Sequence, residues 1–309
     1  MSTTLRIVEV LGAQLSLGGR CAGTADGPRA IRAAGLSKRL GAMRDLGDLV
    51  ARDAARLPGR DPGAAVCTEV ERFSLELRAA VEAILARGAL PCILGGDHSL
   101  GAATQAAVGR VARRRGWAPP GLIWIDAHTD SNTMATTPSG NLHGMMLAAI
   151  HGLEVPPFRR VVEGGLRDPR RTVYVGARDI DEEERAIVEN LGCRVITPEE
   201  IRQRGPLAVA EEALVLAGAA DGRLSVSFDL DCLDPSIAPG VDCHVDGGLA
   251  WPETATMLTR IGQHAGVLAV EIVEVNPSMD REGRTARLAV EAAGLLCGCT
   301  ACARLAPSI

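Results

Sequence analysis

Short apolar runs that end abruptly in histidine, acidic or glycine residues recur along this chain, and longer amphipathic stretches separate them. Residues 90–94 run into Gly95-Gly96-Asp97-His98, residues 122–125 into Asp126-Ala127-His128-Thr129-Asp130, and residues 172–175 into Gly176-Ala177-Arg178-Asp179. Residues 224–228 run into Asp229-Leu230-Asp231, and residues 267–273 into Glu274. An earlier run at 5–11 reads as a first strand. Apolar residues at helical spacing mark 74–86, closed by Gly88 as a C-cap, and helical patterns cover 182–191, 206–216 and 253–263. Strand-then-helix repetition, with strands apolar on both faces, predicts an α/β fold in which helices cover a parallel sheet. In such sheets the carboxyl ends of the strands are where sites are built, and every one of these polar residues falls there. The strand ends span 95–274 without a linker-like gap, which predicts one domain over 1–309, and the Pro/Gly-rich stretch 57–65 reads as a surface loop.

Charge narrows the partners. The formal net charge is −5, against the basic footprint of a nucleic-acid binder, and the run Arg110 to Arg115 reads as a solvated helix end. No apolar stretch reaches the roughly 20 residues of a membrane span, and Arg6 and Glu9 interrupt any signal-peptide core. The nine cysteines read as free thiols in a reducing, cytoplasmic compartment. Cys297, Cys299 and Cys302 continue the apolar run 289–296 and read as part of a buried terminal helix rather than a metal site.

Six of the strand-end residues are metal-ligand types: His98, Asp126, His128, Asp130, Asp229 and Asp231. A spacing of two sets Asp126, His128 and Asp130 on one side of an extended chain, and likewise Asp229 and Asp231. A helix cap would explain one such aspartate but not four interleaved with histidine. The four carboxylates repel one another when the cluster is empty, the two neutral imidazoles add no charge, and two divalent cations balance the set. Oxygen ligands with some imidazole suit manganese, while zinc, cobalt, nickel and iron stay open. Two metals sharing carboxylates acidify water and hold the resulting hydroxide against an electrophilic carbon, so the predicted reaction class is metal-assisted hydrolysis. The polar loop 131–143 follows directly and must rim the same site. Its Asn132, Ser139 and Asn141 offer neutral donors suited to a carboxylate, or are polar because the loop is wet. Asp181 suits an ammonium group and equally an N-cap before Glu182–Glu184. Glu274 can pair with a guanidinium, and His143 can relay protons near neutral pH.

Three segments, GGDHS at 95–99, DAHTD at 126–130 and SFDLDCLDP at 227–235, resemble the signature motifs of the arginase/agmatinase (ureohydrolase) family. SGNLHG at 139–144, EVNP at 274–277, the stretch 23–36 and Asp45-Leu46-Gly47-Asp48 resemble the arginase branch, so the likeness covers nearly the whole chain. It implies a mostly parallel eight-stranded sheet, homo-oligomers such as trimers or hexamers, two Mn2+ ions per subunit, and hydrolysis of L-arginine to L-ornithine and urea. By resemblance, His98, Asp126, Asp130 and Asp229 hold one ion and His128, Asp126, Asp229 and Asp231 the other. A bridging hydroxide attacks the guanidinium carbon, Asp130 carries a proton to the leaving amine, and His143 exchanges protons with solvent. Glu274 orients the guanidinium, Asn132 and Ser139 take the α-carboxylate, and Asp181 and Glu184 lie at the α-amino end.

The pattern breaks in places. Asp242-Cys243-His244 stands where the family usually has Gly-Thr-Pro, which leaves open another guanidino acid or an N-substituted arginine as substrate, unless Asp242 and His244 face solvent. Trp251-Pro252-Glu253 replaces a common Tyr-Arg-Glu whose arginine makes subunit contacts in some arginases. Gln14 replaces a usual proline, with no function attached. A non-catalytic, arginine- or metal-binding relative is the reading from another class, and turnover separates it from an enzyme.

Overall fold

The structure, a computed structural model, describes residues 7–52 and 62–299. Eight strands form one sheet: β1 (Val8–Gln14), β2 (Met43–Val50), β3 (Leu90–Gly95), β4 (Gly121–Ile125), β5 (Thr172–Val175), β6 (Arg194–Ile196), β7 (Leu224–Asp229) and β8 (Val267–Val273). Their spatial order is β2-β1-β3-β8-β7-β4-β5-β6, and every pairing is parallel. The helices between them are α1 (Gly27–Ala33), α2 (Leu36–Leu40), α3 (Pro62–Ala86), α4 (Gly101–Arg114), α5 (Met146–Ile150), α6 (Arg159–Val162), α7 (Glu182–Leu191), α8 (Pro198–Arg204), α9 (Pro206–Ala217), α10 (Trp251–Gly262) and α11 (Arg284–Leu296).

Two cores lie on the two sides of the sheet, which makes three layers. On β3, Leu90, Cys92 and Leu94 pack into one core, with α9, α10 and α11, while Ile93 packs into the other, with α3, α4 and α5. The strands are apolar throughout because both faces are buried. Few aromatics contribute; Trp124 and Tyr174 are the largest buried side chains.

The sheet edges depart from the sequence expectation. β2 and β6 carry too little apolar signal to stand out: β2 is largely exposed and β6 has 3 residues. Charge protects the β2 edge, where Arg32 pairs with Asp45 at 2.8 Å and Asp48 at 2.6 Å. β1 continues to Gln14 rather than stopping at residue 11, and Leu5 lies outside the described residues. The stretch 57–65 is not simply a loop. Helix α3 begins at Pro62, a residue tolerated in the first helical turn, and 57–61 lie outside the described residues. The basic run ends α4 as expected, yet Glu82 of α3 pairs with Arg110 at 2.7 Å and Arg114 at 2.5 Å. Helix α11 stops at Leu296, so Cys297 caps it and Cys299 lies beyond it; Cys302 is outside the described residues. No described helix is long and apolar enough to cross a membrane.

The chain leaving β3 is held tightly against β1. Gly96 N–H donates to Ala13 O and Asp97 N–H to Leu15 O, and a Cβ on Gly96 would lie 1.8 Å from Leu15 O. Gly96→Ala therefore has to separate two backbones and is expected to cost more than about 2 kcal/mol in urea unfolding. Gly88→Ala meets nothing within 4 Å and carries only the strain of φ +77°. Its expected cost is about 1 kcal/mol. Equal losses in the two variants would contradict this packing.

Candidate active site

The sharp turn after β3 presents His98, which is 1 % exposed. Asp97 starts that turn, accepting from Ser99 N–H at 3.0 Å and from Gly18 N–H at 2.8 Å. The His98 ring stacks on Trp124, with centroids 4.0 Å apart and planes 3° from parallel, and its Nε2 lies 2.8 Å from Ser227 Oγ. Stack and hydrogen bond together aim Nδ1 at three carboxylates: Asp229 at 2.9 Å, Asp126 at 3.0 Å and Asp130 at 3.3 Å. Neither His98 Nδ1 nor Asp126 Oδ2 makes a hydrogen bond, although both are buried and the distances are short. Unused donor atoms that converge in this way suit a cation held between them.

His128 completes a second, overlapping group. Its Nδ1 stands 3.1 Å from Asp231 Oδ2 and 3.3 Å from Asp126 Oδ1. Asp231 Oδ1 accepts from Ala127 N–H at 3.1 Å, and Asp229 Oδ1 accepts from Asp231 N–H at 2.8 Å. The sets His98/Asp126/Asp130 and Asp126/His128/Asp231 each bring their ligand atoms within 4.8 Å of one another and share Asp126. Asp229 joins through its contact with His98.

The six predicted residues therefore converge, though not by strand alternation. β4 ends at Ile125, Asp130 sits at φ +49°, and Asp231 lies in a 3₁₀ turn. Turns, not an extended chain, gather these side chains, and aspartate is one of the few residues that tolerates the left-handed region. Burial, together with Asp126 near Asp130 and Asp231 near Asp229, pushes both carboxyls well above the usual range. Burial pulls His98 down, but Asp126 and Asp130 outweigh it and raise the imidazole to about 9. Protons and metal ions thus compete for this cluster, as for any site whose ligands must lose protons to bind.

Above the cluster opens a cleft of about 310 Å3, room for a small molecule. Glu274, at the end of β8, has φ +63°; this uncommon backbone conformation marks the point where the strand turns into the cleft. Its Oε1 accepts from His98 N–H at 2.7 Å and lies 3.1 Å from His143 Nδ1, while its buried Oε2 has no partner. Burial depresses His143, but the hydrogen bond and charge of Glu274 outweigh it and raise the imidazole.

The opposite wall carries the remaining predicted residues. Asp181 lines the cleft and also caps α7, with Oδ1 accepting from Glu184 N–H at 2.8 Å. Its Oδ2 accepts from Asn132 Nδ2 at 2.8 Å. Glu184 accepts from Ser131 N–H at 2.8 Å. Ser139 and Asn141 lie on the rim, with Ser139 Oγ accepting from Asn141 N–H at 3.2 Å.

Within Asp242-Cys243-His244 only the cysteine reaches the cleft. Burial and the Asp231 charge raise its thiol to about 12, so it is protonated at neutral pH. His244 faces solvent, with Nε2 2.8 Å from Pro239 O. Asp242 instead turns inward and accepts from Asn276 Nδ2 at 2.6 Å, so it does not share the solvent-facing alternative with His244.

Two arginines went unassigned in the sequence. Arg20 lines the cleft mouth. Arg178, just past β5, lies within 3.5 Å of six backbone carbonyls: Gly176, Asp231, Cys232, Leu233, Val245 and Asp246. It straps together the loops that carry Asp231 and Cys243. A lone arginine at a strand end is its one sequence signal.

Comparison with known proteins agrees with this geometry. The sequence pattern described as "Arginase family" matches residues 6–298. The arginase of Bacillus caldovelox is 35 % identical over 302 residues, covering 95 % of this chain and 99 % of that one. The arginase of Brevibacillus brevis is 36 % identical over 291 residues, covering 92 % and 95 %. The solved structure of the Bacillus caldovelox enzyme superposes with a TM-score of 0.87, over 94 % of this chain and 98 % of that one.

Replacing Arg178 with methionine leaves carbonyls of three loops without their donor. The expected loss in urea unfolding is about 3 kcal/mol or more, with Arg178→Lys intermediate because it keeps the charge but not the planar fork. A loss below 1 kcal/mol would show that the strap is dispensable.

Proposed function

The chain belongs to the arginase family, and from that premise we propose that it hydrolyses L-arginine to L-ornithine and urea, with residues 1–309 acting as one ureohydrolase domain. The observation that carries the reading is a cleft with two chemically different ends. Its floor joins the histidine–aspartate cluster to an unpaired Glu274 Oε2, and its rim offers Asn132, Ser139, Asn141, Asp181 and Glu184. A guanidinium at one end of a short chain, with a carboxylate and an ammonium at the other, matches both.

Two Mn2+ ions per chain belong to this reading, in keeping with an oxygen-rich donor set and the unpartnered His98 Nδ1 and Asp126 Oδ2. His98, Asp126, Asp130 and Asp229 would hold one ion and His128, Asp126, Asp229 and Asp231 the other. Bound there, the ions would offset the carboxylate charge, acidify water and act as Lewis acids. Glu274 Oε2 accepts a guanidinium N–H in a charge-assisted hydrogen bond and so orients the carbon under attack. Water supplies a hydroxyl to that carbon. As the C–N bond breaks, Asp130 carries the water's proton to the departing amine of ornithine. His143 exchanges protons between the cleft and solvent, with Glu274 holding its Nδ1. Asn132, Ser139 and Asn141 take the α-carboxylate, and Asp181 and Glu184 the α-ammonium.

One observation favours a second reading. Cys243 lines the cleft where the family usually has threonine, and a thiol is a poor donor beside a hydroxyl. A related guanidino acid or N-substituted arginine is that alternative. Cytoplasmic location fits the free buried thiols of Cys92 and Cys232. Assembly into trimers or hexamers is part of the same proposal. Pro252 does not disturb the fold there, since it sits in the first turn of α10, where Glu253 accepts from Ala250 N–H at 2.7 Å.

The test is urea release after incubation with Mn2+, from L-arginine, agmatine and 4-guanidinobutyrate in parallel. L-Arginine is expected to be preferred, and Glu274→Gln to lower kcat/KM by roughly 100-fold or more. Equal turnover of agmatine would remove the carboxylate-binding roles. Preference for another guanidino acid, shifted by Cys243→Thr, would establish the second reading.

A further inference from the structure

We propose that Arg20 is a specificity-determining residue that recognises the substrate's carboxylate at the cleft mouth and thereby restricts the enzyme to guanidino compounds that carry one. The proposal rests on the arginine-hydrolase reading and refines the rim of that same site.

The cleft is otherwise acidic. Asp130, Asp229, Asp231 and Glu274 line its depth, and Asp179, Asp181 and Glu184 line its outer wall. Arg20 is the only lysine or arginine among the lining residues. Cations on the floor would offset the deep carboxylates but not the outer ones. A carboxylate arriving at the rim therefore meets like charge unless something compensates it. The neutral donors are partly committed already: Asn132 Nδ2 donates to Asp181 Oδ2 at 2.8 Å, and Asn132 Oδ1 accepts from Thr136 Oγ1 at 2.7 Å. A charged donor is what this wall lacks, and Arg20 supplies one.

Buried contacts anchor the loop two residues before Arg20, which lines the same cleft as those donors. Gly18 N–H donates to Asp97, which is 0 % exposed, and Gly18 O accepts from His143 N–H at 3.1 Å. The loop is thus tied both to the turn that presents His98 and to the segment that carries Ser139 and Asn141. Glycine is needed at 18, where a Cβ would stand 2.5 Å from Ser99 Oγ; at 19 a Cβ would stand 3.6 Å from the His143 ring. Arg20 follows directly, exposed, and no described residue forms an ion pair with it, whereas Arg29 and Arg32 on the next helix are paired. Among the described residues no ion-pair partner has to be surrendered when Arg20 engages a ligand carboxylate, and its planar fork matches that group.

The experiment is calorimetric binding of L-ornithine and of 1,4-diaminobutane, the same diamine without the carboxylate. Both are titrated into the manganese-loaded wild type, Arg20→Ala and Arg20→Lys. Arg20→Ala is expected to weaken L-ornithine about five- to tenfold and leave 1,4-diaminobutane within about twofold, with Arg20→Lys recovering most of the loss. Equal weakening of both ligands, or of neither, would overturn the proposal. Urea release from L-arginine by the wild type is measured alongside. Its absence would overturn the reading beneath the proposal, whereas activity with an unchanged ligand ratio overturns the Arg20 assignment alone.

Discussion

Mutual repulsion among buried carboxylates is the constraint around which this molecule is organised. Asp126, Asp130, Asp229 and Asp231 are each no more than 7 % exposed and crowd one edge of the sheet. Like charges at such spacing cannot all stay ionised without a cation or a set of compensating protons. The surroundings hold them in place regardless. Trp124 and Ser227 lock His98 between them, backbone N–H groups of Ala127, His128 and Asp231 bind the carboxylate oxygens, and Arg178 ties down the loops outside. Trp124 and Ser227 act from within β4 and β7, and the other supports come from the turns that follow the strands. A parallel sheet with both faces covered supplies the rigidity, because its strands cannot shift without disturbing two cores.

The same arrangement explains why two residues at this edge adopt positive φ. Glu274 leaves strand geometry directly after β8, and Asp130 does so in the turn that follows β4, each at the point where its side chain enters the cleft. A regular strand would carry each away from its partners. Conformations of this sort persist where the surrounding packing over-determines them, and here they set the carboxylates facing His98 and His143.

Much of this was legible in the sequence, for an identifiable reason. Central strands are buried on both sides and so read as unbroken apolar runs, and the residues that terminate those runs are the ones that converge. The convergence of these histidines and aspartates follows that logic even though alternation was the wrong geometry for Asp130 and Asp231. Edge strands lack the signal because one side of their backbone meets solvent: β2 is charged and β6 is very short. Pro62 looked like a loop residue because proline marks loops and helix starts alike. Arg178 was invisible for a different reason. Its partners are backbone carbonyls from three separate loops, and backbone groups leave no trace in residue identity. Arg20 was missed because its role depends on a loop closed by Asp97 and His143, a contact across 79 residues in the first case. Cys243 stood out as a departure in the sequence, but only the fold shows that it alone of its triplet meets the cleft.

We propose that the histidine–aspartate cluster holds two cations that share carboxylates. Anomalous diffraction from crystals of the manganese-loaded protein measures this directly. Two peaks are expected in each chain, one beside His98 and one beside His128, with Asp126 and Asp229 touching both. A single peak, or peaks away from these residues, would contradict it.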